Sequence, residues 1–433
     1  MRSTIRAGIA ATIAVTALAL TGCSGASSGS DGPVELTYWG WAPNMEKIVD
    51  SWNESHPDIH VTYVKTDAGE PAVTKFLTAI QAGNGAPDLM QAEYQKIPTL
   101  LASDAIVDIS DKLGSDVEGK FSDGVWSSVT LGTDGVYAIP QDIGPMMFYY
   151  REDIFDQMGL SVPTTWDEYA QVAKTIHESD PTKYLGTFSS IDPGQFAGLT
   201  QQAGASWWSS DNGAWGVDID SDPVKKVADY WGGLVESGVI DNKPQYTPEW
   251  NAALNDGSQI GWVSSVWAPG VLAGNAPDTA GKWRMAPLPQ WDASQPATGN
   301  WGGSALAVSA QSKNIDAAVE FSTWLNTSKD AVDQLVSVSG LYPADTADSA
   351  EALSTPFEFF SNQPDFYETA AEIADTVQPF TYGPNVNVAY SAFNDEFGKA
   401  AQSKSKADFL SAVDRMQKVT LADLEDAGFT TSK

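Results

Sequence analysis

The chain has 433 residues, 24 basic against 56 acidic, for a net charge of −32, with 42 % hydrophobic and 18 % charged residues. That length suits two or three domains, and that composition suits a folded chain. The acidity argues against nucleic acid or anionic headgroups as partners, and a lone cysteine, Cys23, rules out an intramolecular disulfide and a cysteine zinc site.

Arg2 and Arg6 precede a 12-residue run of apolar and small residues, 9–20. The run is short for a membrane span and right for a signal peptide. It ends in Leu20-Thr21-Gly22-Cys23, which resembles the bacterial lipobox, where cleavage before the cysteine leaves it lipid-modified. An ordinary signal peptide is the plainer alternative. Residues 1–22 are thus expected to be a signal, and 23–33, rich in Gly and Ser, a flexible tether.

The remainder reads as α/β. Leu36 and Tyr38 begin a strand, and Met45, Ile48, Val49 and Trp52 make one helical stripe. Residues 59–64 read as a strand. Val73, Phe76, Leu77 and Ile80 form a second stripe that Gly83 ends, and 87–90 form a short strand. Such alternation implies parallel βαβ units. Thr165 to Glu168 form a capping box opening a helix with Tyr169, Ala173 and Ile176 inward. Val224 to Val235, Ala318 to Leu325 and 407–426 are further helices. No long linker divides the body. Segments 138–145 and 284–290, short and proline-bearing, are the best crossings between two lobes.

The chemistry is mostly negative. There is no nucleophile elbow, P-loop, zinc-protease motif or dinucleotide fingerprint. His56 and His60 are separated by Pro57 and read as a helix end more readily than a metal site, and His177 reads as a helix-end charge. No two carboxylates stand out as a glycosidase pair. No cofactor is expected. The 16 tryptophans say more. Trp52, Trp231 and Trp324 fall on helical stripes and read as core. Trp39, Trp41, Trp207, Trp208, Trp215, Trp262, Trp267, Trp291 and Trp301 fall in segments rich in Gly, Ser, Asn and Asp. An indole among short hydrogen-bonding side chains suits a sugar, whose apolar face lies on the ring. Burying ~80 Å² of ring at ~25 cal/mol per Å² gives roughly 2 kcal/mol, so two or three platforms plus hydrogen bonds reach about −8 kcal/mol, a micromolar affinity. For any single loop tryptophan, packing is the readier reading.

Several ordered blocks now carry a resemblance. They are LTYWGW (36–41), AGNGAPDLMQAEYQKIP (82–98), YAIPQDIGPMMFYYREDIFDQMGLSVPTTWDEY (137–169), WRMAPLPQW (283–291), WGGSALAVSAQSKNIDAAVEFSTWL (301–325) and SGLYPA (339–344). From Leu36 onward the chain resembles the extracellular solute-binding lipoproteins of carbohydrate ABC transporters, the maltose-binding-protein-like group. The resemblance implies an α/β, two-lobed periplasmic-binding-protein-like fold: two mainly parallel sheets flanked by helices, with a ligand cleft between. The lobes would be 34–142 plus 287–340 and 143–286 plus 341–433. Closure around a ligand would follow, read by a membrane permease.

Carried onto this sequence, the resemblance places Trp39, Trp41, Glu93, Tyr94, Gln141, Asp142, Trp207, Trp208, Trp267, Trp301, Gly302, Gly303, Tyr382 and Asn385 at the cleft. Asp142 could instead be a turn residue of the hinge, and Glu93 a helix N-terminal charge. The acidic balance disfavours uronates, so a neutral di- or oligosaccharide is the expected ligand. The implied protein is no enzyme. It would be a monomer held outside the cell membrane by its lipid alone. A secreted glycoside hydrolase, or a receptor of this fold for a peptide or polyamine, are the competing readings.

Overall fold

The computed structural model describes residues 32–432 apart from 132, 212, 213 and 346, so Cys23, the signal segment and most of the tether lie outside the described residues. Among the described residues ten strands follow in chain order: β1 (Val34–Gly40), β2 (Ile59–Lys65), β3 (Leu89–Glu93), β4 (Ile139–Asp142), β5 (Met146–Arg151), β6 (Trp208–Asp211), β7 (Ala214–Val217), β8 (Gly261–Ser265), β9 (Trp283–Pro287) and β10 (Ser304–Val308).

The first lobe is built on a five-stranded sheet, β2-β1-β3-β10-β4. β1 alternates, with Leu36 and Tyr38 buried, and pairs in parallel with β2 and β3. Helix Met45–Ser55 covers it with Met45, Ile48, Val49 and Trp52, the stripe expected from spacing. Helix Glu70–Ala82 buries Val73 and Phe76 and stops at Gly83, whose φ of 71° costs glycine nothing. β10 returns antiparallel between β3 and β4.

The second lobe is built on β8-β5-β9, and here the expectation of a mainly parallel sheet fails: both neighbours of β5 are antiparallel. β5 and β8 are almost wholly buried. A strand covered on both faces is apolar throughout whichever way its neighbour runs, so periodicity was silent on direction. The capping box forms: the Glu168 amide donates to Thr165 Oγ1 at 3.2 Å, and the Thr165 amide donates to Glu168 Oε2 at 3.3 Å. Helix Asp222–Ser237 packs under the C-terminal helix Lys406–Asp426, and the lack of a side chain at Gly232 lets Phe409 approach.

Three chain segments run between the lobes, side by side. Residues 143–145 lie antiparallel to 300–301, through a Pro145–Asn300 bridge and a 2.8 Å bond from the Trp301 amide to the Gly144 carbonyl. The Ile143 amide donates to the Tyr342 carbonyl at 3.1 Å, bringing in the third segment. The second crossing thus lies near 300–303. Segment 284–290 falls inside the second lobe because β9 completes that sheet, and Leu288 and Trp301 pack into its core.

Candidate functional site

The site grows from the ends of the first-lobe strands. Where β1 ends, the amides of Trp41 and Ala42 both donate to Gln91 Oε1, at 2.9 and 3.2 Å. Gln91, buried on β3, passes the chain on through Nε2 to Ser304 Oγ at 3.0 Å, and Ser304 donates to the Asp142 carboxylate. One hydrogen-bonded network therefore fixes the loop after β1, the middle of β3, the start of β10 and the end of β4. Tyr94 closes it from behind, donating from its hydroxyl to the Asp142 carbonyl at 3.0 Å. Asp142 is 6 % exposed, and burial pushes its carboxyl up to about 7 even though Ser304 favours the charged form.

Trp301, Gly302 and Gly303 face this network from the second crossing. Trp301 stands edge-on to Trp267, with ring centroids 4.9 Å apart, and its carbonyl accepts from Trp267 Nε1 at 2.8 Å. Gly302 and Gly303 take φ of 82° and 86°. A Cβ on Gly303 would lie 2.9 Å from the Tyr94 ring, so both conformation and space demand glycine there.

These elements enclose a cleft of about 650 Å³ between the lobes. Its first-lobe wall carries Trp41, Glu70, Glu93, Lys96, Asp142 and Ser304, and its second-lobe wall carries Ile191, Asp192, Tyr246, Trp267, Trp301 and Tyr390. Lys96 is 1 % exposed; its ammonium donates to Glu70 Oε2 at 2.8 Å and to Asn387, and lies 4.9 Å from the Tyr390 ring centre. Asp192 caps helix Pro193–Gln202, accepting from the Gln195 amide at 3.1 Å. Burial, with the Glu93 charge adding to it, pushes its carboxyl up to about 7. Burial also raises Glu93, against the opposing pull of Lys96. Among the described residues no group of three or more His, Cys, Asp or Glu is arranged to hold a metal ion.

Of the residues expected at the cleft, Trp41, Glu93, Asp142, Trp267, Trp301, Gly302 and Gly303 line it. Tyr94 lies just behind Gly303. The other six lie elsewhere. Trp39 packs on the first core with Lys75 stacked 4.2 Å over it. Gln141 is buried, donating to Asn326 Oδ1 at 3.1 Å. Trp207 and Trp208 are fully buried, because their indole N–H groups find Thr200 Oγ1 at 2.9 Å and Asn385 Oδ1 at 3.2 Å. Asn385 in turn donates to the Thr420 carbonyl at 2.8 Å, and Tyr382 packs 4.8 Å from Phe380. The loops at 205–218 and 381–388 thus meet each other and support helix Val386–Ser403, which carries Tyr390 to the cleft. Sequence reading missed Asp192, Tyr246, Lys96 and Tyr390. Only Asp192 had a signal, an acidic cap before Pro193 at a helix start.

With the cleft described, comparison with known proteins places the chain. The family model for bacterial extracellular solute-binding proteins matches residues 39–332. The chain belongs to that family. An arabinooligosaccharide-binding protein of Halalkalibacterium halodurans is 25 % identical over 409 residues, 87 % of this chain and 88 % of its own. Two solved solute-binding structures superpose with 28 % identity over 93 % of this chain and all of theirs. They are the ABC transporter associated binding protein of B. animalis subsp. lactis with β-1,6-galactobiose, at a TM-score of 0.84, and the galacto-N-biose/lacto-N-biose I-binding protein of Bifidobacterium longum with lacto-N-biose, at 0.82.

Proposed function

We propose that this chain is the capture component of a sugar ABC importer, binding a neutral di- or oligosaccharide between its lobes and presenting the closed form to a membrane permease. The observation that carries the reading is the cleft itself. Edge-packed Trp267 and Trp301 are set against the Asp142–Ser304–Gln91 network, within a volume suited to two or three sugar rings. The relatives named above bind arabinooligosaccharide, β-1,6-galactobiose and lacto-N-biose, all sugars. Neutrality follows from charge. Four carboxylates, Glu70, Glu93, Asp142 and Asp192, line the cleft against one ammonium, Lys96, which is already engaged. Burial leaves Asp142 and Asp192 part-protonated near pH 7, yet among the lining residues no free cation remains to pair an anionic uronate. The ligand would leave intact, since the role is capture and not turnover. Cys23 would carry the lipid that holds the receptor, as a monomer, at the outer face of the membrane.

The test is a thermal-shift and calorimetric panel on the chain from residue 24 onward. It would hold β-1,6-galactobiose, lacto-N-biose, arabino-oligosaccharides, maltose, a uronate disaccharide and a polyamine, with chromatography of each mixture afterwards. A ligand at about 100 times its dissociation constant adds roughly 2.7 kcal/mol of stability. Such a shift with one neutral sugar recovered intact supports the reading. Hydrolysis of the sugar, or shifts with the polyamine alone, overturns it.

A further inference from the structure

Tyr246 occupies a backbone conformation that suits glycine. Its φ is 64°, in the left-handed region, where a bulky side chain is an outlier. Asn44, Asp104, Leu131 and Lys404 share the region, but Asn44, Leu131 and Lys404 each cap a helix end, and Asp104 directly follows the C-cap of helix Ile97–Ala102. Tyr246 caps none; the next residue, Thr247, is the cap of helix Pro248–Asp256, its hydroxyl accepting from the Trp250 amide at 3.2 Å. On the other side Gln245 is buried. Its Oε1 accepts from Trp262 Nε1 at 3.1 Å, and its Nε2 donates to Gln195 Oε1 at 3.4 Å. The chain must pass from an inward-pinned amide to an outward helix cap within one residue, and the left-handed turn accomplishes it.

The turn delivers a ring into the cleft. Tyr246 is 44 % exposed and lines the second-lobe wall, its ring tilted against Trp250 at 5.5 Å and edge-on to Trp262 at 6.2 Å. Burial of its phenol, with the Asp192 charge adding to it, raises the hydroxyl well above its ordinary range, so it stays protonated. Ile191, next to Asp192, is also exposed in the cleft. In the empty protein, strained backbone and solvent-exposed apolar surface are both unfavourable. Strain of this kind persists where the surroundings over-determine it, and it marks functional positions.

We propose that Tyr246 is a further stacking platform for the sugar, presented by a strained 245–247 turn that lowers the stability of the empty receptor. The proposal rests on the sugar-receptor reading and adds a residue, and a stability cost, that the reading does not contain.

Three variants test it: Y246G, Y246A and Y246F, each melted without ligand and titrated calorimetrically with β-1,6-galactobiose, lacto-N-biose and an arabino-oligosaccharide mixture. Glycine and alanine both remove the ring, but only glycine relieves the turn. Alanine is ordinarily the more stabilising of the two, so Y246G melting above Y246A reverses the usual order and reports the strain. For the sugar that binds wild type, both should weaken affinity about thirtyfold, as loss of an aromatic anchor does, while Y246F stays within about threefold. Y246G melting below Y246A, or binding as tightly as wild type, overturns the proposal and leaves the receptor standing. Y246F falling as far as Y246G moves recognition from ring to hydroxyl and overturns the platform. Wild type binding no sugar here or in the wider panel above overturns the receptor reading, and the platform with it.

Discussion

The two walls of the cleft are made of different chemistry. The first-lobe wall sits at the ends of a largely parallel sheet and presents charge: Glu70, Glu93, Asp142 and the buried Lys96, with Trp41 its one large ring. The second-lobe wall is built on antiparallel strands and loops and presents aromatic surface: Tyr246, Trp267, Trp301 and Tyr390, with Asp192 its one carboxylate. A sugar has both kinds of surface, hydroxyl edges and an apolar ring face. Neither wall alone matches it, so a ligand gains fully only where both walls reach it, which is the thermodynamic condition for ligand-driven closure.

The largest effect should come from Trp301→Ala. Trp301 is buried in the second core, its ring meets Trp267 edge-on, and its carbonyl holds the Trp267 indole. Truncation should lower stability by about 3–5 kcal/mol and weaken binding at least hundredfold. If titration of the folded variant finds affinity intact, the aromatic wall is core and not recognition surface, and the contrast between the walls dissolves.

The polar wall is tested by pH. Burial raises the folded-state carboxyl of Asp142 to about 7. Between its ordinary range and 7, the folded chain holds a proton that the unfolded chain lacks. Stability from this group therefore grows as pH falls through 7 and levels off near the ordinary carboxylate value. Denaturant unfolding at pH 5.5 and 8 should show the empty receptor more stable at 5.5. Asp142→Asn should remove about 2 kcal/mol of that difference, leaving the share that Asp192 contributes from the opposite wall. An unchanged profile in the variant would mean that Asp142 is ionised and solvated throughout.

Lys96 is where the walls touch. From the first lobe its ammonium reaches Asn387 and the Tyr390 ring in the second. Lys96→Met should cost about 1–2 kcal/mol, less than a fully buried pair because its partner Glu70 is half exposed. Affinity should fall about tenfold, since Glu70 and Glu93 lose their counter-charge. A rise in affinity would instead identify the contact as a tie that the ligand must displace.

How much of this contrast the sequence disclosed follows from what periodicity can carry. The helical stripes at 45–52 and 224–235 and the capping box at 165–168 are local, and each stands where spacing put it. Asp142 and the Trp301-Gly302-Gly303 turn were found by resemblance, and both line the cleft. The direction of β8 and β9 against β5 was hidden because fully buried strands read alike. The resemblance, and the Gly, Ser and Asp around them in sequence, put Trp207 and Trp208 at the cleft. Their burial depends on Thr200, Asn385 and Gly383, the last 175 positions from Trp208 in chain (383 − 208) yet with room for only a hydrogen against its ring. Tyr246 had no signal, since a left-handed tyrosine is announced by no spacing rule.

The smallest effect lies far from both walls, and its value is as a control on the others. Thr165→Ala removes the hydroxyl that accepts from the Glu168 amide, leaving a helix N-terminus short of one partner. It should cost about 1 kcal/mol of second-lobe stability, read as a lower denaturant midpoint with unchanged slope. Because helix Trp166–Ser179 contributes nothing to the cleft lining, sugar affinity should stay within about twofold of wild type. If affinity falls as stability does, then destabilising the second lobe anywhere weakens capture. The losses expected at Trp301 and Tyr246 would then reflect lobe integrity and not contact with a sugar. If affinity holds while stability drops, the difference between the walls is a property of the cleft surface, and the variants that line it can be read as recognition.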